Sequence, residues 1–214
     1  MKNMTIGGAT PTPDNRSRHI YCPSLGGLSA RQADAAFLVP RMDQNHRVKD
    51  TEGHGHWAAA IAADPFGSNS AHFKALLEAG YTGVTNWPSS VLLEGHTQKQ
   101  MAEIPATPTA EYAYLATAQK SGLDAMGFIL TPDHAADALA HGVKNLALHP
   151  GILLNVDADG ATMIRNALRT IISGIKRLEQ DTKVYIYTSD WHDALFRLFD
   201  LECDGFVRFE ETAT

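Results

Sequence analysis

Apolar residues fall into short runs along this chain, separated by longer stretches in which apolar positions recur at helical spacing. Eight runs read as strands: residues 19–23, 36–39, 57–62, 83–86, 125–130, 145–148, 184–187 and 205–209. Several are apolar on both faces, the pattern of a buried parallel sheet. The third is Ala-rich and the fourth contains Asn86, so both carry weaker strand character. The stretches between them predict helices. Residues 70–79 start at a cap-like Asn69 or Ser70, carry Phe73, Leu76 and Leu77 as a stripe, and stop at Gly80. Residues 109–121 end at Gly122, and residues 132–140 open on Pro132 and close before Gly142. Residues 161–180 place Ile164, Leu168, Ile171, Ile172, Ile175 and Leu178 on one face, and residues 191–201 follow.

Strands alternating with helices of this size imply right-handed βαβ crossovers and a parallel sheet. Eight such units predict an α/β fold, a (β/α)8 TIM barrel, with an open doubly wound sheet as the alternative. The barrel is a trimmed one. The chain has 214 residues, against about 250 for a typical barrel. Only residues 29–35 can form a helix after the first run, and none follows the eighth. Residues 1–17, rich in Gly, Thr, Pro and Asn, read as a loose arm, and 18–214 as a single TIM-barrel domain. Missing outer helices would leave apolar strand faces uncovered, so a homo-oligomer is expected.

A net charge of −6 argues against nucleic acid and anionic membrane as partners. Cys22 and Cys203 are too few for a disulfide framework and form no zinc-type spacing, which suits a reducing, cytoplasmic setting. The N-terminus has no secretory h-region, and no apolar stretch is long enough to span a bilayer.

In either α/β architecture ligands sit beyond the carboxyl ends of the strands. The residues following the apolar runs are therefore the candidates: Asp64, then Asn86-Trp87-Pro88-Ser89, His149, Ser189-Asp190-Trp191-His192, and Glu210-Glu211. Each also has a structural reading. Asp64 before Pro65 suits a turn or a cap, Asn86 can bond its own loop, His149 can be a satisfied rim histidine, and Asp190 can be an N-cap. Glu210 and Glu211 suit solvated positions. His54-Gly55-His56 has metal-ligand residue types but sits at the opposite end of its strand, where a glycine-flexed loop is favoured. Asp157-Ala158-Asp159-Gly160 lacks the later ligands of a calcium loop and reads as the turn that starts a helix.

Several segments within 58–154 resemble the phosphoenolpyruvate hydrolase-like family of TIM-barrel proteins, also described as IGPS-like or signal-transduction barrels. They are Ala62-Ala63-Asp64-Pro65-Phe66, Gly80-Tyr81-Thr82-Gly83-Val84-Thr85-Asn86-Trp87-Pro88-Ser89, Leu93-Glu94-Gly95, Glu111, and His149-Pro150-Gly151-Ile152. Gly27-Leu28-Ser29-Ala30 resembles the family's Gly-Leu-Ser-Ala. The family's Gly-rich segments after the seventh and eighth strands are replaced here by Tyr187-Thr188-Ser189-Asp190 and Val207-Arg208-Phe209-Glu210, which removes backbone cradles for a phosphate. Ala113 stands where the family has a second Glu, and Arg41-Met42-Asp43-Gln44-Asn45 is a shortened form of its Asn-Ser-Gly segment.

The resemblance implies an enzyme acting on a small oxo-acid or phosphonate-type anion by hydrolysis or bond cleavage, with Mg2+ as candidate cofactor stabilising an enolate. Asp64, Asn86, His149 and Glu111 would be its catalytic set, with Trp87, Ser89 and Asp190 binding substrate. The alternative is a non-catalytic barrel that binds a small ligand or a protein partner in a sensing role. The two separate on one geometric expectation: whether Asp64, Asn86 and His149 surround one pocket, with Trp87 in its wall.

Overall fold

The strands pair in chain order around a ring. The computed structural model describes residues 3–13, 18–39, 41–64, 67–104, 106–152 and 156–211. Within them β1 (Met4–Gly7), β2 (Arg18–Tyr21), β3 (Trp57–Ala60), β4 (Gly83–Asn86), β5 (Asp124–Ile129), β6 (Asn145–Leu148), β7 (Lys183–Thr188) and β8 (Gly205–Phe209) form a closed parallel barrel. Ring closure comes from β1 against β8, with Met4 opposite Val207 and Ile6 opposite Phe209.

The helices are α1 (Ala30–Ala36), α2 (Gln44–Lys49), α3 (Asn69–Glu78), α4 (Gly95–Met101), α5 (Pro108–Lys120), α6 (Pro132–Ala140), α7 (Ala158–Leu178) and α8 (Asp190–Phe196). The N-cap of α3 is Ser68, one residue before the Asn69 or Ser70 expected, and that of α8 is Ser189, where Asp190 was expected. Thr107, Thr131, Asp157 and Ser189 each accept a first-turn N–H. Asp157 therefore starts a helix, as the reading against a calcium loop expected. No helix lies between β1 and β2 or after β8 among the described residues, and none of the helices is long and apolar enough to cross a membrane.

Two expectations are corrected. Residues 1–17 were read as a loose arm, yet Met4–Gly7 is β1; residues 14–17 lie outside the described set. A four-residue strand is too short to show a period, and its stability comes from distant partners on both sides. Residues 36–39 were read as a strand, but Ala36 ends α1, Phe37 is its C-cap, and Leu38 and Val39 are turn. Ala36 and Phe37 of that run are buried at the barrel mouth, capping the barrel without joining it, while Val39 is exposed.

Alternation along each strand decides which side chains reach the lumen. Trp57 points inward over Gly83, where a Cβ would lie 2.4 Å from the indole. Through the paired registers, Ala59, Thr85, Met126, Phe128, Ala147, Tyr185, Tyr187, Val207 and Ile6 share that inward side. Asn86 has the opposite parity and faces the helices. After β1, residues 8–13 are tied down by histidines at the neighbouring strands. His19 Nε2 meets the Ala9 carbonyl at 3.1 Å and His56 Nε2 meets that of Thr12 at 3.1 Å. His56 Nδ1 accepts the His19 N–H. The His54-Gly55-His56 segment is thus a turn, with His54 and Gly55 at φ 49° and 81°, as expected over a metal site.

Candidate functional site

The residues singled out in the sequence do not surround one pocket. Asn86, Ser89 and Glu111 form one cluster, on the outer side of β4. Glu111, in the first turn of α5, is buried. Its Oε2 accepts from Asn86 Nδ2 at 2.7 Å and from Ser89 Oγ at 2.5 Å. Its Oε1 accepts from Ser90 N and Ser90 Oγ, both at 2.7 Å. Asn86 Oδ1 in turn accepts the Phe128 N–H at 2.7 Å. Burial pushes the Glu111 carboxyl up, against the pull of its four donors. Both carboxylate oxygens and the Asn86 amide are used internally, so this cluster holds the turn after β4, including the cis Trp87–Pro88 bond, to α5.

Asp64 lies elsewhere. Its Oδ2 accepts from Asn45 Nδ2 at 3.1 Å, and it borders an outer groove of about 320 Å3 with Asp43, Lys49, His72 and Tyr114. Pro65 and Phe66 of the same motif are outside the described residues. Asp190 is a solvent-facing first residue of α8, paired with Arg208; the cap is Ser189.

His149 and Trp87 do meet, inside the barrel mouth. Phe37 sits on top of them. Its ring centroid is 4.2 Å from that of Trp87, 4.9 Å from that of His149 and 5.3 Å from that of Phe128. The His149 ring stacks on Tyr187 at 4.7 Å and 12°. The Phe37 carbonyl accepts the Ser89 N–H at 3.0 Å. α1 and Phe37 therefore form a plug where an open pocket was expected.

Beneath that plug His149, and His192 from the candidate segment after β7, meet two groups the sequence reading passed over, Asp34 and Tyr187. Asp34 of α1 is 3% exposed. Its Oδ2 is 3.3 Å from His192 Nε2, and its Oδ1 is 3.9 Å from His149 Nε2. Asp34 Oδ1, His149 Nε2, His192 Nε2 and the Tyr187 hydroxyl are all buried and make no hydrogen bond of good geometry. Such atoms are costly to leave unpaired and are uncommon in folded proteins. Here four of them converge at one place.

Their proton states follow from their other contacts. His149 Nδ1 accepts the Gly151 N–H at 3.0 Å, so the neutral ring carries its proton on Nε2, facing Asp34. Burial, with His192 nearby, holds His149 well below the usual imidazole range. Burial and the neighbouring Asp34 carboxylate hold the Tyr187 hydroxyl well above the usual phenol range. His149 and Tyr187 are thus neutral donors, and Asp34 is the acceptor between two imidazoles. His192 is fixed through Nδ1, 2.8 Å from Ser189 Oγ. Gln44 braces the floor: Ser24 Oγ and Cys22 Sγ donate to its Oε1, and its Nε2 donates to the Trp87 carbonyl.

The mouth does not suit Mg2+. That ion takes an octahedron of oxygens, and the mouth offers one carboxylate flanked by two imidazoles. Among the described residues no three His, Cys, Asp or Glu side chains are placed to hold a metal ion.

Asp34 was hidden by the misreading of the run that follows it. Its signal is a lone acid on the buried face of an Ala-rich helix, between Ala33 and Ala36. Tyr187 had a plainer signal, an inward strand position at the rim, and His192 stood in the candidate segment after β7 without a role.

Comparison with known proteins gives one family and two relatives. The family model described as phosphoenolpyruvate hydrolase-like matches residues 15–186. The uncharacterized protein y4oT of Sinorhizobium fredii is 30% identical over 144 residues, covering 64% of this chain and 74% of that one. The ToMV susceptible protein tm-1(GCR26) of Solanum lycopersicum is 29% identical over 129 residues, covering 60% of this chain and only 17% of the tomato protein. Among solved structures, one described as native KDPGal covers 97% of this chain and 82% of its own, at 14% identity and a TM-score of 0.43. A designed cube-shaped, porous protein cage covers 100% of this chain and 66% of its own, at 13% identity and a TM-score of 0.46.

Proposed function

Since the chain belongs to the phosphoenolpyruvate hydrolase-like family, we propose that it is an enzyme whose barrel mouth cleaves a C–C bond of a small oxo-acid by proton transfer through an enolate. The observation that carries this reading is the convergence of four buried polar atoms on Asp34, His149, His192 and Tyr187 that make no hydrogen bond of good geometry. Asp34 is the base. It takes the proton of a hydroxyl on the second carbon from the carbonyl carbon; that hydroxyl oxygen becomes a new carbonyl as the C–C bond beside it breaks. The electron pair moves to the carbonyl oxygen. His149 Nε2–H and the Tyr187 O–H donate to that oxygen, and because both are neutral and pre-placed they need no reorganisation as charge develops. His192 positions Asp34 through the 3.3 Å contact. Substrate is admitted when α1 and Phe37 swing away, and their return excludes water.

The experiment is a thermal-shift screen of small 2-oxo and hydroxy acids and phosphonates, with and without Mg2+, on the wild type and on His149→Phe. A true ligand raises the melting temperature by mass action. The reading predicts a shift in the wild type that is lost in His149→Phe and is indifferent to Mg2+. The same shift in both proteins would contradict it.

Two observations favour a second reading: Asp64, Asn86 and His149 do not surround one pocket, and the mouth is closed. The plug is tightly packed, with the Phe37 ring against Trp87, His149 and Phe128. A barrel whose mouth never opens would be a non-catalytic binder that meets its ligand or partner on the outer surface. Shifts that survive in His149→Phe would support that reading.

A further inference from the structure

The mouth is short of positive charge, which bears on what it can hold. Asp34 is its one carboxylate. His149 is kept neutral by accepting the Gly151 N–H. Tyr187 and Cys22 are buried with their protons on, the thiol pushed up to about 12 by burial. No Lys or Arg is buried among the described residues. The cations at the rim are engaged elsewhere: Arg31 lies over Trp191, Arg41 donates to the Ser24 carbonyl, and Arg208 pairs with Asp190 and Asp193. The nearby rim acids are also placed outside, with Glu211 accepting the Ala30 N–H and Glu210 lying 3.9 Å from His19.

An anion brought into such a site meets a resident carboxylate and no fixed cation, and burying uncompensated charge is prohibitive. Compensation has to come from protons. The Asp34–His192 pair, 3.3 Å apart, is the one place in the mouth with room for them. We propose that the mouth is selective for small monocarboxylate 2-oxo acids, each bound together with one proton taken from solvent onto the Asp34–His192 pair, and that it rejects phosphorylated acids. A phosphate ester of an oxo-acid brings two or three negative charges, more than one carboxylate and one imidazole can offset. This rests on the reading of the mouth as the reaction site.

The test is titration calorimetry with pyruvate and with phosphoenolpyruvate, in buffers of different ionisation heat, from pH 7 to 9. The proposal expects pyruvate to bind with uptake of about one proton, and its affinity to fall about tenfold per pH unit by linkage. Phosphoenolpyruvate should bind at least tenfold more weakly. Asp34→Asn should still bind pyruvate, with proton uptake and pH dependence largely gone. His192→Gln provides the same check from the other partner. Binding of pyruvate without proton uptake, or phosphoenolpyruvate binding as tightly as pyruvate, would overturn the proposal. In that case loss of binding in His149→Phe would still uphold the mouth as the site. If neither acid binds the wild type, or His149→Phe binds unchanged, both the proposal and the reading beneath it fall.

Discussion

Two buried polar clusters lie on opposite faces of the same strand wall and differ in one respect. On the outside, Glu111, Asn86, Ser89 and Ser90 satisfy one another: both carboxylate oxygens accept two hydrogen bonds each. In the lumen, four polar atoms of Asp34, His149, His192 and Tyr187 face one another without a hydrogen bond of good geometry. Asn86 and Trp87 are neighbours in sequence, yet one joins the satisfied cluster and the other walls the unsatisfied one. Burial of polar residues beside a barrel mouth is therefore a poor guide to function by itself. What separates scaffold from site is whether the hydrogen bonds close among the protein's own groups.

That contrast makes opposite demands on mutants. Glu111→Ala should have the largest effect on stability. It strands the Ser90 N–H and the Asn86 amide and opens a cavity, for a loss of about 4 kcal/mol in denaturant unfolding. A loss below about 1 kcal/mol would show that the outer network is not the scaffold.

Phe37→Ala should come next, at about 3 kcal/mol for an aromatic removed from a packed site. It should also loosen the plug, so that a bound oxo-acid exchanges faster in stopped-flow. Slower exchange would mean that Phe37 is not on the route of admission.

Acid should weaken both walls. Burial lowers His19, on the outer side, to about 4, and holds His149 well down in the lumen. For a base whose folded pKa is depressed, stability is complete above the unfolded value near 6.5 and is lost as pH falls below it. His19 alone then gives a loss of roughly 3 kcal/mol by pH 4. Chemical unfolding at pH 7.5 and pH 5 reads the onset, and equal stability at both would contradict it.

The smallest stability change belongs to the site itself. Asp34→Asn removes a buried charge that meets only the two imidazoles, His192 at 3.3 Å and His149 at 3.9 Å, so stability should stay within about 1 kcal/mol of the wild type or rise, while turnover is abolished. A loss of several kcal/mol would make Asp34 a structural residue like Glu111.

The sequence displayed the architecture well because its signals are local. β4, β6, β8 and α6 lie where the apolar runs and the Pro132 and Gly142 punctuation place them. What escaped was non-local. β1 is four residues held from both sides by distant strands. The Phe37 run is apolar because it plugs the mouth, and composition cannot distinguish that from a strand. Among the candidate site residues, rim position brought out His149 and Trp87. Reading the residue after each strand without its parity mistook Asn86 for a lumen group. Glu111 is bound to Asn86, but as its anchor, and Asp64 faces the groove beside α2 and α3. Asp34 lies in helix α1, on a face that no strand end announces.

The central claim is that the unsatisfied lumen cluster, and not the satisfied outer one, receives ligand. The most direct measurement is the long-range 15N–1H spectrum of the histidine rings during titration with pyruvate. The account predicts that the His149 and His192 signals move together and saturate, while those of His19 and His56, hydrogen-bonded on the outer wall, stay in place. Saturating shifts at His19 and His56 with none at His149 and His192, or no shift at any of the four, would contradict it.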